Sequence, residues 1–170
     1  MGGSLHGSDV PSATEPMAPE ERREEHGARR RRRQRPGRIA RRLALMALFE
    51  EEFRPRQATE ALDRIAVERS VSGAVTEHAR RIVLGVLEHR VALDERIAEV
   101  APAIPVSELG RVERTILRSA LYEVLYSAAT PSGETIEDAV SLARIYAGDA
   151  ARRLVNGVLG SVARSSGGGG

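Results

Sequence analysis

Nine of the fourteen residues from Arg29 to Arg42 are arginine, and no acid interrupts them. A guanidinium presents a planar fork of N–H donors that fits phosphate oxygens two at a time and stacks on bases. Arg29, Arg30, Arg31, Arg32, Arg33 and Arg35 come first. Arg38, Arg41 and Arg42 follow the Pro36-Gly37 pair and run into an apolar pattern. Charge elsewhere is nearly balanced or negative: residues 1–28 hold two Arg and six acids, and residues 43–170 hold fifteen Arg and eighteen acids. One cationic segment on such a body suits a polyanion, with nucleic acid the first candidate. A membrane-surface helix would need large apolar residues among the arginines, and Arg29 to Gln34 has none.

Little else in the chain suggests chemistry. All 26 basic residues are Arg, a pattern attributed to codon bias in a GC-rich genome. Cysteine is absent, which excludes disulfides, thiolate nucleophiles and thiolate metal sites. His6 and His26 fall in a polar tail. His78 and His89 are eleven residues apart on one expected helix, about 16 Å at 1.5 Å per residue, too far to share a metal. No metalloprotease helix, nucleophile elbow, P-loop or dinucleotide fingerprint is present. The expectation is a binding protein with no catalytic residue, metal or cofactor. Neither a secretory leader nor an apolar run of about 20 residues is visible, so a cytoplasmic protein with no membrane partner is expected.

The elements that must carry these arginines begin after a polar arm. Residues 1–37 are too rich in Gly, Ser, Pro, Glu and Arg to offset their ordering entropy. They read as a disordered arm, and residues 165–170 as a flexible Gly-rich tail. Between them, over 38–164, the apolar period is helical almost throughout, and the fold class is all-α. A first helix follows Pro36-Gly37 with Ile39, Leu43, Met46, Ala47 and Phe53 on its core face. A second helix starts near Pro55 and carries Ala58, Leu62 and Ile65. The third starts near Ser72 with Val75, Ala79, Ile82, Val83, Val86, Leu93 and Ile97, and stops at the Pro-rich stretch 101–105. A fourth, over about 107–127, carries Val112, Ile116, Ala120 and Val124. A turn is expected at Thr130-Pro131-Ser132-Gly133. Thr135 and Asp138 resemble a capping box opening a fifth helix with Ile136, Ala139, Val140 and Ala143. Gly148-Asp149 reads as a stop and an N-cap before a last helix burying Leu154, Val155, Val158, Leu159 and Val162.

Three features have competing readings. Gly85 and Gly157 interrupt helices at about 1 kcal/mol each relative to Ala, and close helix packing is preferred over ligand approach. Asn156 is expected to bond a neighbouring backbone group. Glu113, Arg114 and Arg118 form a charged stripe that is either a solvated face or a protein contact surface, and composition does not choose between them.

Four stretches resemble the NusB family of transcription antitermination factors. They are Arg38-Ile-Ala-Arg-Arg-Leu-Ala-Leu-Met-Ala-Leu-Phe49; Ile82-Val-Leu-Gly-Val86 with Leu93-Asp94; Gly110-Arg-Val-Glu-Arg-Thr-Ile-Leu-Arg-Ser-Ala-Leu-Tyr-Glu123; and Ile136 to Ala143 with Leu154-Val-Asn-Gly-Val-Leu159. The resemblance implies a bundle of about seven helices in two packed three-helix-type subdomains. It implies binding of the boxA element of ribosomal RNA transcripts together with NusE, a small-subunit ribosomal protein. That pair acts on the RNA polymerase elongation complex with other Nus factors to suppress premature termination. Arg38, Arg41 and Arg42 match the family's RNA-binding region, with Arg29–Arg33 and Arg35 adding reach. A second RNA patch matches Asp149, Arg152, Arg153 and Leu154, although the family often has an acid-Ser pair and a Phe where Ala150, Ala151 and Leu154 stand here. Glu113 and Phe49 match the NusE-facing surface. A possible homodimer is also implied. The alternative is a stand-alone RNA-binding domain related to that of rRNA cytosine methyltransferases, without activity of its own.

Overall fold

The computed structural model describes residues 36–127 and 132–167, and among these there are six α-helices and no strand. They are α1 (36–51), α2 (Ala58–Glu68), α3 (Gly73–Val100), α4 (Arg111–Tyr126), α5 (Ser132–Ala147) and α6 (Asp149–Gly167), with one 3₁₀ turn at Val106–Glu108. The helix count is close to the seven expected. Pro36 and Gly37 lie inside α1, and α6 continues through residues 165–167, which composition assigns to the tail. Residues 1–35, with most of the expected arm and the first six arginines of the Arg29–Arg42 run, are outside the described residues.

α1 buries Ala40, Leu43, Ala44, Ala47 and Leu48, a stripe at i, i+3, i+4, i+7 and i+8. The core face expected from the sequence is rotated from this one. Ile39 is 39% exposed, and Phe53 lies beyond the helix end at 56% exposed. Beyond α1 the chain turns through residues 52–57, and α2 starts at Ala58 rather than at Pro55. Gln57 gives α2 no side-chain cap. The buried Glu51 carboxylate does this from the end of α1, accepting the amide N–H groups of Arg56, Gln57 and Ala58 at 2.8, 2.9 and 2.9 Å. The unpaired donors of a helix start and the positive end of its dipole both favour an anion there.

Ser72 caps α3 by accepting from the Val75 amide, and α3 stops one residue before the Ala101-Pro102 pair. Its inner face, Ala79, Ile82, Val83, Val86, Leu93 and Ile97, is the one expected. Gly85 is a packing glycine: a Cβ there would fall inside the Tyr122 ring of α4. Gly157 is not, because nothing lies within 4 Å of where its Cβ would be, and Asn156 beside it is also exposed.

α4 packs against α3, α5 and α6 and is the axis of the bundle. Alongside Ile116, Leu117, Ala120 and Leu121 it buries Thr115, Arg118, Ser119 and Glu123. Thr115 and Ser119 satisfy their hydroxyls on the carbonyls of Arg111 and Thr115, one turn back. Ser132 and Gly133 begin α5 rather than forming a turn, and Thr130 and Pro131 are outside the described residues. Thr135 is therefore inside α5 and caps nothing. It is buried because its side chain faces Arg41. Gly148, at φ +91°, supplies the left-handed residue that ends α5, and its carbonyl accepts from the Arg152 amide in α6.

Removing the Glu51 carboxylate should therefore loosen the start of α2. Glu51→Ala is expected to lower stability by about 2–3 kcal/mol, because three bonds to a charged acceptor disappear. An unchanged urea midpoint would show that water caps the helix equally well.

Candidate RNA and protein interface

At 1.5 Å and about 100° per residue, Arg38 and Arg42 stand one turn apart on nearly the same side of α1, while Arg41 points elsewhere. Tertiary packing turns that difference into two roles. Arg38 and Arg42 are exposed, and Arg38 donates to the Ser141 hydroxyl of α5 at 2.5 Å. Arg41 is only 5% exposed. Its Nε donates to Glu123 of α4 at 2.8 Å and its Nη1 to Asp138 of α5 at 2.6 Å, with Glu134 at 3.6 Å. Arg41, expected from the sequence to face RNA with Arg38 and Arg42, instead has its guanidinium turned inward and committed to the buried carboxylates of Glu123 and Asp138.

His78 of α3 completes this cluster, with Nε2 3.1 Å from Glu123. Burial would push the Glu123 carboxyl up, but hydrogen bonds and charge from His78 and Arg41 reverse this and hold it below the ordinary 4.5. Asp138 goes the other way. Burial raises it above 3.8, and a single bond from Arg41, already engaged by Glu123, recovers only part. One guanidinium shared among several carboxylates offsets the burial of Glu123 but not that of Asp138.

A second cluster decides the stripe on α4. Glu52, just past α1, accepts from Arg90 of α3 at 3.1 Å and from Arg114 and Arg118 of α4 at 2.5 and 2.9 Å. Arg118 also grips Asp94 of α3 through two bonds of 2.7 and 2.8 Å. Arg114 and Arg118 are thus clamps between helices, neither a solvated face nor a contact surface. Burial would raise the Glu52 carboxyl, but the bond and charge of Arg114 with the charges of Arg118 and Arg90 hold it below 4.5.

Glu113 is separate from these clamps, half-buried in the first turn of α4 and folded over Gly110. Phe49 is half-buried at the end of α1, and its ring meets Phe53 edge-on at 5.2 Å. Phe53 in turn carries the Arg111 guanidinium 4.4 Å from its centroid. That series of neighbouring side chains joins Phe49 to the turn bearing Glu113. Neither Phe53 nor Arg111 stands out in the sequence as a surface residue of interest, because periodicity alone assigns Phe53 to the core.

The other expected patch opens α6. Asp149 and Arg152 pair across one turn at 3.3 Å, Arg153 is exposed, and Leu154 packs partly against the core. No hydrogen bond or ion pair among the described residues joins this patch to Arg38 or Arg42. Among the described residues there is also no carboxylate and histidine group able to hold a metal, and no helix long and apolar enough to cross a membrane.

Two measurements test these assignments. Glu52 and Glu123 have folded-state pKa values below their unfolded ones. Their stabilisation is complete above about pH 4.5 and is lost as pH falls through the depressed values. The melting temperature should fall on acidification from about pH 5 to pH 3, and Glu52→Gln should flatten that limb; an unchanged limb would show that the Glu52 clamp is not formed in solution. Arg41→Ala leaves the buried Asp138 carboxylate without its partner and Glu123 with His78 alone, and should cost about 3–5 kcal/mol. Arg42→Ala should cost less than about 0.5 kcal/mol. Equal effects in denaturant titrations would reverse the division of labour.

Known proteins resemble this chain in sequence and in fold. The sequence model described as the NusB family matches residues 38–164. The chain is 34% identical over 128 residues to the transcription antitermination protein NusB of Dehalococcoides mccartyi, covering 75% of this chain and 90% of that one. It is 39% identical over 121 residues to the same protein of Chloroflexus aggregans, covering 70% and 81%. The fold superposes on T. maritima NusB with a TM-score of 0.69 at 30% identity, covering 75% and 89%. It also superposes on a chain from the antitermination factors NusB and NusE in complex with double-stranded RNA, with a TM-score of 0.70 at 26% identity, covering 77% and 98%. With three quarters of its length matched by the family's sequence model and its helices following the same path, this chain belongs to the NusB family.

Proposed function

We propose that this protein is a transcription antitermination factor that binds boxA RNA of ribosomal RNA operon transcripts together with its NusE homologue. The pair then acts with other Nus factors on the RNA polymerase elongation complex. The observation that carries the RNA half is the outward-facing pair Arg38 and Arg42 on α1, held in place by the inward Arg41. The similar solved assembly that contains NusB, NusE and RNA supports both partners.

In this reading residues 38–164 are the binding domain, and Arg29–Arg33 with Arg35 extend it with sequence-independent phosphate attraction. Arg152 and Arg153 contribute from the start of α6. Asp149 tempers them, and Leu154 replaces a stacking ring with an aliphatic surface. Arg41 has no part in binding RNA directly. Phe49 and Glu113, joined through Phe53 and Arg111, form the NusE-facing surface. The protein acts in the cytoplasm by tethering, without a catalytic step of its own.

A gel shift of boxA RNA and a scrambled RNA, with and without the NusE homologue, tests the proposal. Both proteins together should bind boxA well above either alone and above the scrambled strand. Equal binding of the two RNAs by the mixture would end it. Replacing Arg38 and Arg42 by Ala should reduce the log–log salt slope by about 0.7 for each phosphate that is no longer neutralised.

A further inference from the structure

Beside Arg42 lies a groove that the RNA-facing arginines alone do not account for. Ile39, Leu43 and Met46 form one wall, on successive turns of α1. The opposite wall is the link between α2 and α3, residues 69–72, with Val75 from the first turn of α3. The groove has an open volume of about 480 Å³, within the range of small-molecule sites. Its floor is aliphatic, and Arg42 and Arg69 stand at its lips.

The lining contains no carboxylate. The neighbouring depressions differ: one holds Asp63 and Glu77, the other Glu50 and Glu68. Arg42 and Arg69 are both exposed and make no side-chain ion pair among the described residues. α3, 28 residues long, starts at the rim with no acid in its first turn, so its positive end is uncompensated by a local carboxylate. The link is also held in one shape. Ser70 takes φ +51°, and the amides of Ser70 and Val71 close back on the carbonyls of Val67 and Ala66. That closing motif fixes where Arg69 leaves α2.

We infer that this groove seats one unpaired nucleotide of a bound single-stranded RNA, its base against Ile39 and Met46 and its flanking phosphates on Arg42 and Arg69. Unstacked bases are commonly held on apolar side chains or guanidinium planes, and the cationic lips match the phosphates on either side. Arg42 belongs both to the Arg38–Arg42 surface and to the groove lining, so the two are contiguous. The inference rests on the RNA-binding reading above. It adds Arg69, Ile39 and the α2–α3 link to the residues that hold RNA.

The test uses the full chain with its NusE homologue, a fluorescent boxA RNA and a scrambled strand of equal length. Arg69→Ala and Ile39→Asp change exposed side chains, and circular-dichroism melting checks that both variants fold as the wild type does. Each should weaken boxA binding about tenfold, Ile39→Asp by removing the surface under the base and Arg69→Ala by removing a phosphate contact. Arg69→Ala should also reduce the log–log salt slope by about 0.7. Unchanged affinity and slope in both variants, with Arg42→Ala still flattening the slope, would confine RNA to α1 and overturn the inference. Loss of NusE binding with RNA binding intact would assign the groove to an acidic protein segment and overturn it equally. If the wild type fails to prefer boxA, the antitermination reading fails by itself. The groove is then judged by the Arg69→Ala slope on whichever strand the wild type binds, and absence of RNA binding ends both.

Discussion

The buried Arg41 guanidinium is the group on which the arrangement of the other arginines depends. Desolvating it carries a large cost, which is recovered only where carboxylates meet it with good geometry. Glu123 and Asp138 do so from positions 82 and 97 residues along the chain. The three helices that carry these groups, α1, α4 and α5, are thereby fixed in rotation as well as in position. A purely aliphatic stripe lets a helix roll by a few tens of degrees at little cost. A guanidinium bonded through Nε and Nη atoms does not.

That fixed roll is what turns a helical repeat of arginines into a binding surface. Since Arg41 must point inward, Arg38 and Arg42 point outward together, about 40° apart around the axis. Ile39 is then carried out of the core to the edge of the groove. The same logic operates at the other end of α1, where Glu51 caps α2 and Glu52 draws Arg90, Arg114 and Arg118 together. α1 and the residue after it thus tie α2, α3, α4 and α5 together through a cap and ion pairs. The exposed side of α1 is free for a ligand because its inner side holds so much of the fold.

Much of the fold was legible in the chain. The apolar repeats of α3, α4 and α6 read correctly, because long amphipathic helices repeat their signal over several turns. Ser72 and Gly148 announced helix ends through local chemistry that needs no distant partner. The errors fell where distant residues intervened. Thr135 and Asp138 have the spacing of a cap, yet both face Arg41. Gly157 looks like Gly85 in sequence, but only Gly85 has a Tyr ring against it. Arg114 and Arg118 look like a surface stripe because nothing local reveals that Glu52 and Asp94 await them.

By itself, the sequence determined that the protein is helical, that it carries a cationic segment suited to a polyanion, and that it resembles one family of RNA-associated factors. These follow from composition, from periodicity and from short strings of residues, all of which are local. Only the tertiary structure decided which arginines are framework and which are free, that Phe53 is a surface ring under Arg111, and that a cation-lipped groove opens beside α1. Periodicity gives the angles between side chains on one helix but not the direction in which the helix faces. That direction is set by ion pairs and packing between residues far apart in the chain, and they exist only once it has folded.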